Sequence, residues 1–440
     1  MKKKMAIISS YNESCGNASY TEVLREEFSK YCDVDILALP QGLLHGKYAI
    51  ISKKADAFID QMCEKIKEYD YVNIQFEAGL FGNTRKEILR RYSKIVKSCK
   101  NVIVTMHRVD LPRPVFNKGI LKKIIKLKFW EAFQDAKFNK FMNLYVDVVE
   151  AVRQKGTAGS IMVHTQRERD NLVNIFDYPN VTAFPITFMN AEKRKRVRTE
   201  ADRKAFLQAY GFNETDVVIG LFGFVSAYKS AETVIKALNF LPSNYKIAIF
   251  GKQHPMSILE NVPVDEYLNS LMSLIESQSI SAKDKLDIIT DAQVQSGKVK
   301  EEEVKQFIQR YSNEKVALSF DQRVFFEGEL DDDHFIDALY GCDFAVLPYL
   351  ETNQSGSGIA SLVVESKIKS IFSSSKAFAE LQRYFPKCYE SFDIGNYIEL
   401  ANKILNYKAD YAPAIERQME IYNIENNVKN HMKLFEQQAK

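Results

Sequence analysis

Cys342-Asp343-Phe344-Ala345-Val346-Leu347-Pro348-Tyr349 runs into Leu350-Glu351-Thr352-Asn353-Gln354-Ser355-Gly356-Ser357-Gly358, and then into Ile359-Ala360-Ser361-Leu362-Val363-Val364-Glu365. The apolar run Phe344–Leu347 is too short for a helix and reads as a strand buried on both faces. Small and polar residues follow as a loop, and 359–365 reads as a helix. Strand, loop and helix in that order form the repeating unit of a parallel sheet covered on both faces.

The same alternation extends outward in both directions. Before it come strand-like runs at Met5–Ser9, Val34–Leu39, Tyr71–Gln75, Val102–Met106 and Ser160–His164. Around it come Val217–Phe222, Lys246–Phe250, Arg323–Phe326 and Ser370–Ser373. Two sets predict two doubly wound, Rossmann-like α/β domains, over residues 1–190 and 212–412. The charged stretch Asn190–Arg198 lacks apolar periodicity and marks 191–211 as a linker. Residues 256–320 exceed an ordinary crossover and read as a helical insertion, with helices over Asp265–Glu276 and Lys300–Tyr311. The tail 413–440 reads as one long closing helix, Pro413–Gln438.

With 46% hydrophobic and 27% charged residues in 440, the chain is neither disordered nor fibrous. No apolar run reaches the roughly 18–20 residues of a membrane span. The start, Met1-Lys2-Lys3-Lys4 followed by Met5–Ser9, has too short an apolar part for a secretion signal. Six scattered cysteines without a CxxC pair fit reduced thiols in a cytoplasm. Residues 1–211 carry 37 Lys and Arg against 24 Asp and Glu, a balance of +13; residues 212–440 carry 23 against 33, a balance of −10. The basic half suggests an anionic partner.

Part of that charge lies in 113–140, where Lys118, Lys122, Lys123, Lys126, Lys128, Lys137 and Lys140 surround Ile120, Leu121, Ile124, Ile125, Leu127, Phe129, Trp130 and Phe133. This reads as a basic amphipathic helix at about 115–140. A solvated helix packed on its domain and a helix on an anionic membrane face account for it equally well. Nucleic acid is the weaker fit, because no binding module is recognisable and the second half is acidic.

In open α/β sheets ligands bind at the carboxyl ends of strands, so the residues just after strands carry the chemistry. The first strand is followed by Ser14-Cys15-Gly16-Asn17-Ala18-Ser19-Tyr20, the third by Glu77-Ala78-Gly79-Leu80-Phe81-Gly82, and the fourth by His107-Arg108-Val109-Asp110. The first strand of the second half is followed by Gly223-Phe224-Val225-Ser226-Ala227-Tyr228-Lys229-Ser230. Ser355–Gly358 opening a helix fits either a plain turn or a phosphate cradle, in which small side chains expose backbone N–H groups at the positive helix end. Lys229 adds a full charge if it faces that cradle; on its own it reads as a solvated lysine. Glu365 among apolar neighbours is a costly carboxylate unless something binds it. His164 beside Thr165-Gln166 reads as part of a helix cap. Asp331-Asp332-Asp333-His334 reads as helix capping, and with no HExxH and no Cys/His set no metal site is expected. No GxxxxGK[ST] sequence is present, which argues against a P-loop nucleotidase.

Taken in order, these motifs resemble glycosyltransferase family 4 of the GT-B fold. Gly223–Ser230 resembles that family's Gly-Arg…Lys-Gly loop, and Cys342–Tyr349 resembles the strand before its donor loop. Glu365 matches the second Glu of its Glu-x7-Glu motif. Cys15–Thr21, Gln75–Phe81 and Thr105–His107 resemble family segments in the same order. The resemblance implies two domains facing across a cleft and a sugar transferred from a nucleotide-sugar with retention at the anomeric carbon, with no cofactor and no essential metal. It implies that Lys229 holds the donor diphosphate, that backbone N–H groups near Gly356, Gly358 and Ile359 assist it, that Glu365 binds the ribose, that Gly16 and Asn17 line the cleft and that His107 lies near the donor sugar. The basic first domain would receive a saccharide acceptor, linked to lipid pyrophosphate, at an anionic membrane; Lys122, Lys126 and Trp130 are the membrane or acceptor candidates.

The sequence departs from that pattern twice. Phe224 stands where the loop has Arg, and Ser357 stands eight residues before Glu365, where the first Glu belongs. Glu351 substitutes for that Glu only if the loop carries six extra residues. The expected protein is a cytoplasmic transferase peripheral to the inner face of the plasma membrane, acting in surface polysaccharide assembly. The alternatives are a catalytically inactive binding or scaffold protein, which the two departures leave open, and a nucleotide-sugar epimerase.

Overall fold

A computed structural model describes residues 2–12, 16–253, 257–258, 262, 264–276, 320–351 and 354–439. The chain divides into two compact units, Met1–Asn190 with Ile421–Lys440, and Ala191–Glu420.

Unit 1 holds strands β1 (Lys4–Ser9), β2 (Asp33–Ala38), β3 (Tyr71–Phe76), β4 (Asn101–Met106), β5 (Gly159–Val163) and β6 (Val181–Ala183) in the order β2-β1-β3-β4-β5-β6. Unit 2 holds β7 (Val217–Phe222), β8 (Tyr245–Phe250), β9 (Val324–Gly328), β10 (Phe344–Leu347), β11 (Ser370–Ser373) and β12 (Glu390–Phe392) in the order β12-β11-β10-β7-β8-β9. Every pairing is parallel. Parallel strands need helical crossovers, which cover both faces, so the central strands are buried and largely apolar, with Asn73, Gln75 and Thr105 buried polar residues among them. Met5, Ala6, Ile7 and Ile8 are all fully buried. The strand order reverses direction beside β1 in unit 1 and beside β7 in unit 2, and such switch points open the crevices where ligands bind.

All ten strands read from the sequence are present. The two it lacks, β6 and β12, are three-residue edge strands with no apolar run to announce them. Within the insertion, a helix spans Glu266–Glu276; the helix read over Lys300–Tyr311 lies outside the described residues.

Three segments differ from expectation. Residues 191–211 form helices Ala191–Lys195 and Glu200–Ala209 that belong to unit 2. Their charge density is not that of a loose linker, because the arginines are anchored. Arg196 pairs with Asp337 at 2.6 Å, and Arg198 and Arg203 both pair with Asp343, at 2.9 and 3.1 Å.

The closing segment is two helices, Ala412–Met419 in unit 2 and Ile424–Gln438 in unit 1. Asn423 breaks the run by capping the second, accepting the Asn426 amide at 2.8 Å. This long closing helix packs under β3, β4 and β5. Phe435 stacks on Tyr71 with 4.7 Å between centroids, and the Gln438 side chain donates to Val102 O and Ser160 Oγ.

The basic helix is likewise two, Lys118–Ile125 and Phe129–Met142. Leu127 lies between them in the left-handed region at φ 58°. Lys128 N reaches back to Lys123 O at 2.9 Å, the six-to-one bond that ends a helix.

Candidate functional site

In unit 2, β7 and β10 are neighbours at the switch point, and the loops leaving their carboxyl ends are tied together by Leu350 N donating to Tyr228 O at 2.7 Å. A pocket opens there, lined among others by Gly223, Phe224, Ser226, Lys229, Pro348 and Tyr349. Gly223 has φ 90°, which favours glycine, and a Cβ on it would displace the Lys229 ammonium. The same Cβ would lie 3.4 Å from Ile359 Cγ1. The Gly223 turn, Lys229 and the start of helix Gly358–Glu365 therefore meet at one place.

Lys229 is half-buried as a residue, but its ammonium is the enclosed end. Nζ donates to Phe222 O at 3.0 Å and sits 5.4 Å from the centre of the Tyr349 ring. No carboxylate pairs with it among the described residues, and burial pushes its pKa down to about 7.

Ser357 caps the helix by accepting the Ala360 amide at 3.2 Å and lies 3.3 Å from the Tyr349 hydroxyl. The amides of Gly358 and Ile359 precede the first intrahelical bond and make none among the described residues. A Cβ on Gly356 would have nothing within 4 Å, so the backbone is open on that side. Glu365 is the last residue of the helix, not a mid-helix one, and is 1% exposed. A carboxylate there is disfavoured both by burial and by the negative helix end. At about 1.5 Å per residue it lies roughly 10 Å along the axis from Gly358. Exposed Glu351 accepts the Lys376 amide at 2.9 Å.

In unit 1 the strand ends carry a polar cluster. Gly16 opens helix Gly16–Phe28, with nothing within 4 Å of where its Cβ would be, and Asn17 O accepts the Thr21 hydroxyl at 2.6 Å. Residues 13–15 of that loop lie outside the described residues. Half-buried His107 follows β4, with Nε2 2.9 Å from Gln75 Oε1 and Nδ1 3.2 Å from His164 Nε2. Burial pushes its pKa down to about 4. Tyr20 stands edge-on to both imidazoles, 5.8 Å between centroids. Beside them Arg108 pairs with Asp110 at 2.7 Å, and Glu77 is raised above the ordinary carboxylate value by burial.

His164 does not cap a helix. Thr165 does so, accepting the Glu168 amide at 3.1 Å, and His164 is His107's partner. Gln75 and Tyr349, placed by sequence only within family-like segments, and His164, read as part of a helix cap, join these candidate clusters. Asp331 accepts the His334 amide at 2.9 Å, the capping role read for it. Lys122, Lys126 and Trp130 are exposed on the two surface helices of unit 1, with Trp130 stacked on Phe133 at 5.9 Å.

No protein-family model matches the chain, and no curated protein matches it. Solved structures do. HepE of Anabaena in complex with UDP and glucose is 12% identical with a TM-score of 0.59, over 98% of this chain and 99% of that one. Sucrose-phosphate synthase of Thermosynechococcus elongatus is 14% identical with a TM-score of 0.62, over 99% of both chains. WaaG, a glycosyltransferase involved in lipopolysaccharide biosynthesis, is 9% identical with a TM-score of 0.57, over 98% and 99%. What is shared at such identities is the fold, and the chain has the GT-B fold.

Proposed function

We propose that this chain is a glycosyltransferase that moves a sugar from a nucleoside-diphosphate sugar held by unit 2 to a saccharide hydroxyl. The observation that carries the reading is that the Lys229 ammonium and the Ile359 side chain, at the start of helix Gly358–Glu365, both approach the Gly223 turn at the β7/β10 switch point. Anions favour such helix ends, and a charged ammonium beside them suits a diphosphate. HepE, bound to UDP and glucose, supports the ligand class.

In the reaction the bond from the anomeric carbon to the diphosphate oxygen breaks, and one from that carbon to the acceptor oxygen forms. The acceptor proton leaves with the nucleoside diphosphate. Lys229 and the Gly358 and Ile359 amides stabilise the charge that develops on the leaving oxygen. Glu365 accepts hydrogen bonds from the ribose. Retention at the anomeric carbon rests on the family resemblance.

The acceptor side is assigned to unit 1, with the acceptor carried on lipid pyrophosphate at an anionic membrane. Leu121, Ile125, Leu127, Phe129, Trp130 and Phe133 are each more than half exposed, among exposed lysines that include Lys122, Lys126 and Lys128. Monomeric proteins rarely expose so many large apolar side chains together, and lysines around them suit anionic lipid. Among the described residues no helix is long and apolar enough to cross a membrane.

The test is release of nucleoside diphosphate from a panel of nucleotide-sugars supplied with polyprenyl-pyrophosphate saccharides, with product anomers assigned by NMR. Release that depends on the acceptor and is lost in Lys229→Ala supports the reading. A second reading, binding without transfer, is favoured by Phe224 in the pocket lining where the related loop has arginine. Nucleotide-sugar binding with no release for any acceptor would select it.

A further inference from the structure

Six side chains of unit 1 join two backbone carbonyls in one chain of contacts. His164 Nδ1 lies 3.3 Å from Phe184 O, and His164 Nε2 lies 3.2 Å from His107 Nδ1. His107 Nε2 meets Gln75 Oε1, Gln75 Nε2 meets Asn73 Oδ1, and Asn73 Nδ2 meets Thr105 Oγ1 at 3.1 Å. Thr105 Oγ1 lies 3.3 Å from His431 Nε2, and His431 Nδ1 lies 3.0 Å from Asn427 O.

Both ends are carbonyl oxygens, which only accept. Each neutral side chain between them supplies at most one donor to the chain, whichever way its amide or ring is turned. Seven contacts therefore share at most six donors. The shortfall can be placed by working inward from the ends. Asn427 O forces a proton onto His431 Nδ1, so Thr105 donates to His431 Nε2 and Asn73 donates to Thr105; Ile103 O, 3.4 Å from Asn73 Nδ2, holds that amide in the same sense. Gln75 then donates to Asn73, and His107 Nε2 donates to Gln75. From the other end, Phe184 O forces a proton onto His164 Nδ1. Two lone pairs are left facing each other between His107 and His164.

We infer that His107 Nδ1 and His164 Nε2 bind one proton between them, so that the two imidazoles act as one cation-forming unit at the carboxyl ends of β4 and β5. A single proton completes all seven contacts. A second would have to go on the one facing nitrogen left, setting two N–H groups and two positive charges against each other. Burial opposes the charge and the lone-pair contact opposes the neutral form, so an anionic group arriving at these strand ends draws the proton in. The titratable groups facing the pair are Tyr20, edge-on from helix Gly16–Phe28, and His431 on the closing helix. Among the described residues no carboxylate hydrogen-bonds to either ring. The inference stands whether or not the chain transfers sugar.

The test is long-range proton–nitrogen NMR of the full chain labelled with 15N-histidine, from pH 8 to pH 4. His164 and His431 are expected as Nδ1–H tautomers. His107 and His164 are expected to titrate together, with one midpoint and one proton, above the value of about 4 that burial alone sets for His107. In His164→Gln the amide donates both to Phe184 O and to His107, and the His107 midpoint drops by about 1–2 pH units, the worth of a hydrogen bond to a charged group. His164→Asn serves if that variant does not fold, and the tautomer measurement needs no variant. A proton on His164 Nε2 at pH 8, separate midpoints for the two rings, or an unmoved His107 midpoint in the folded variant would each overturn the inference.

Discussion

The ammonium of Lys229 donates to the carbonyl of Phe222 at 3.0 Å, folded back onto the strand that precedes its own loop. One carbonyl and the face of Tyr349 are poor compensation for lost water, which is why the pKa falls to about 7. A bound diphosphate favours the charged form. Above pH 7 the side chain is mostly the neutral amine, which must take up a proton before it can pair, so the affinity for UDP should fall as pH rises from 7 to 9. Calorimetry in buffers of different ionisation enthalpy should show proton uptake on binding at pH 8. A pH-independent affinity without uptake would mean that Lys229 does not meet the diphosphate.

Glu365 is the reverse case, a carboxylate buried at the negative end of its helix. If it holds the ribose, Glu365→Gln should weaken UDP by about 1.5–3 kcal/mol, roughly 10- to 100-fold in Kd. Inorganic pyrophosphate, which has no ribose, should bind the variant and the parent alike. Equal loss for both ligands would place the defect in the fold of the helix.

Trp130 is the chain's one tryptophan and is 72% exposed. Its fluorescence should shift to the blue when vesicles containing anionic lipid are added, and less in high salt. Each basic residue near such a surface contributes about 1 kcal/mol. Reversing Lys122 and Lys126 to glutamate should therefore lower partitioning by roughly 30-fold or more. An emission maximum unmoved by anionic vesicles would remove the membrane from the account.

Acid should destabilise unit 1. His107 and His431 are both depressed to about 4, and His164 is held well below its ordinary value, with burial the leading cause each time. The unfolded chain protonates these groups near pH 6.5, so it binds more protons than the folded chain between 6.5 and 4. Stability from these groups is complete above 6.5 and is lost as pH falls toward 4. Tm should drop by several degrees across that window, and His431→Gln should flatten the dependence. An equal slope in the variant would assign the acid sensitivity to other groups.

The strands were legible because parallel strands buried on both faces are short continuous apolar runs, as Phe344–Leu347 and Val217–Phe222 are. The candidate donor-side residues stand out for a related reason, since strand ends are where such sheets bind ligands, and Gly223, Lys229 and Gly358 lie in the segments that follow β7 and β10. Breaks within helical stretches were not. Leu127 adopts a left-handed conformation that leucine's chemistry does not announce, and Asn423 is one asparagine among several in its segment. The His107 network was beyond local reading altogether. Thr105 and His431 meet across 326 residues, and neither strand periodicity nor helix periodicity encodes that partnership.

The most direct measurement is equilibrium binding of UDP-glucose and of the corresponding GDP-, ADP- and dTDP-sugars to the parent protein and to Lys229→Ala, by calorimetry or thermal shift, with and without EDTA. The account predicts saturable binding of one nucleotide class, unchanged by EDTA and weakened in the variant by about 1.5–3 kcal/mol, with a matching rise in the parent's Tm. No binding by any nucleotide-sugar, or equal affinity in Lys229→Ala, would contradict the donor site at the β7/β10 switch point.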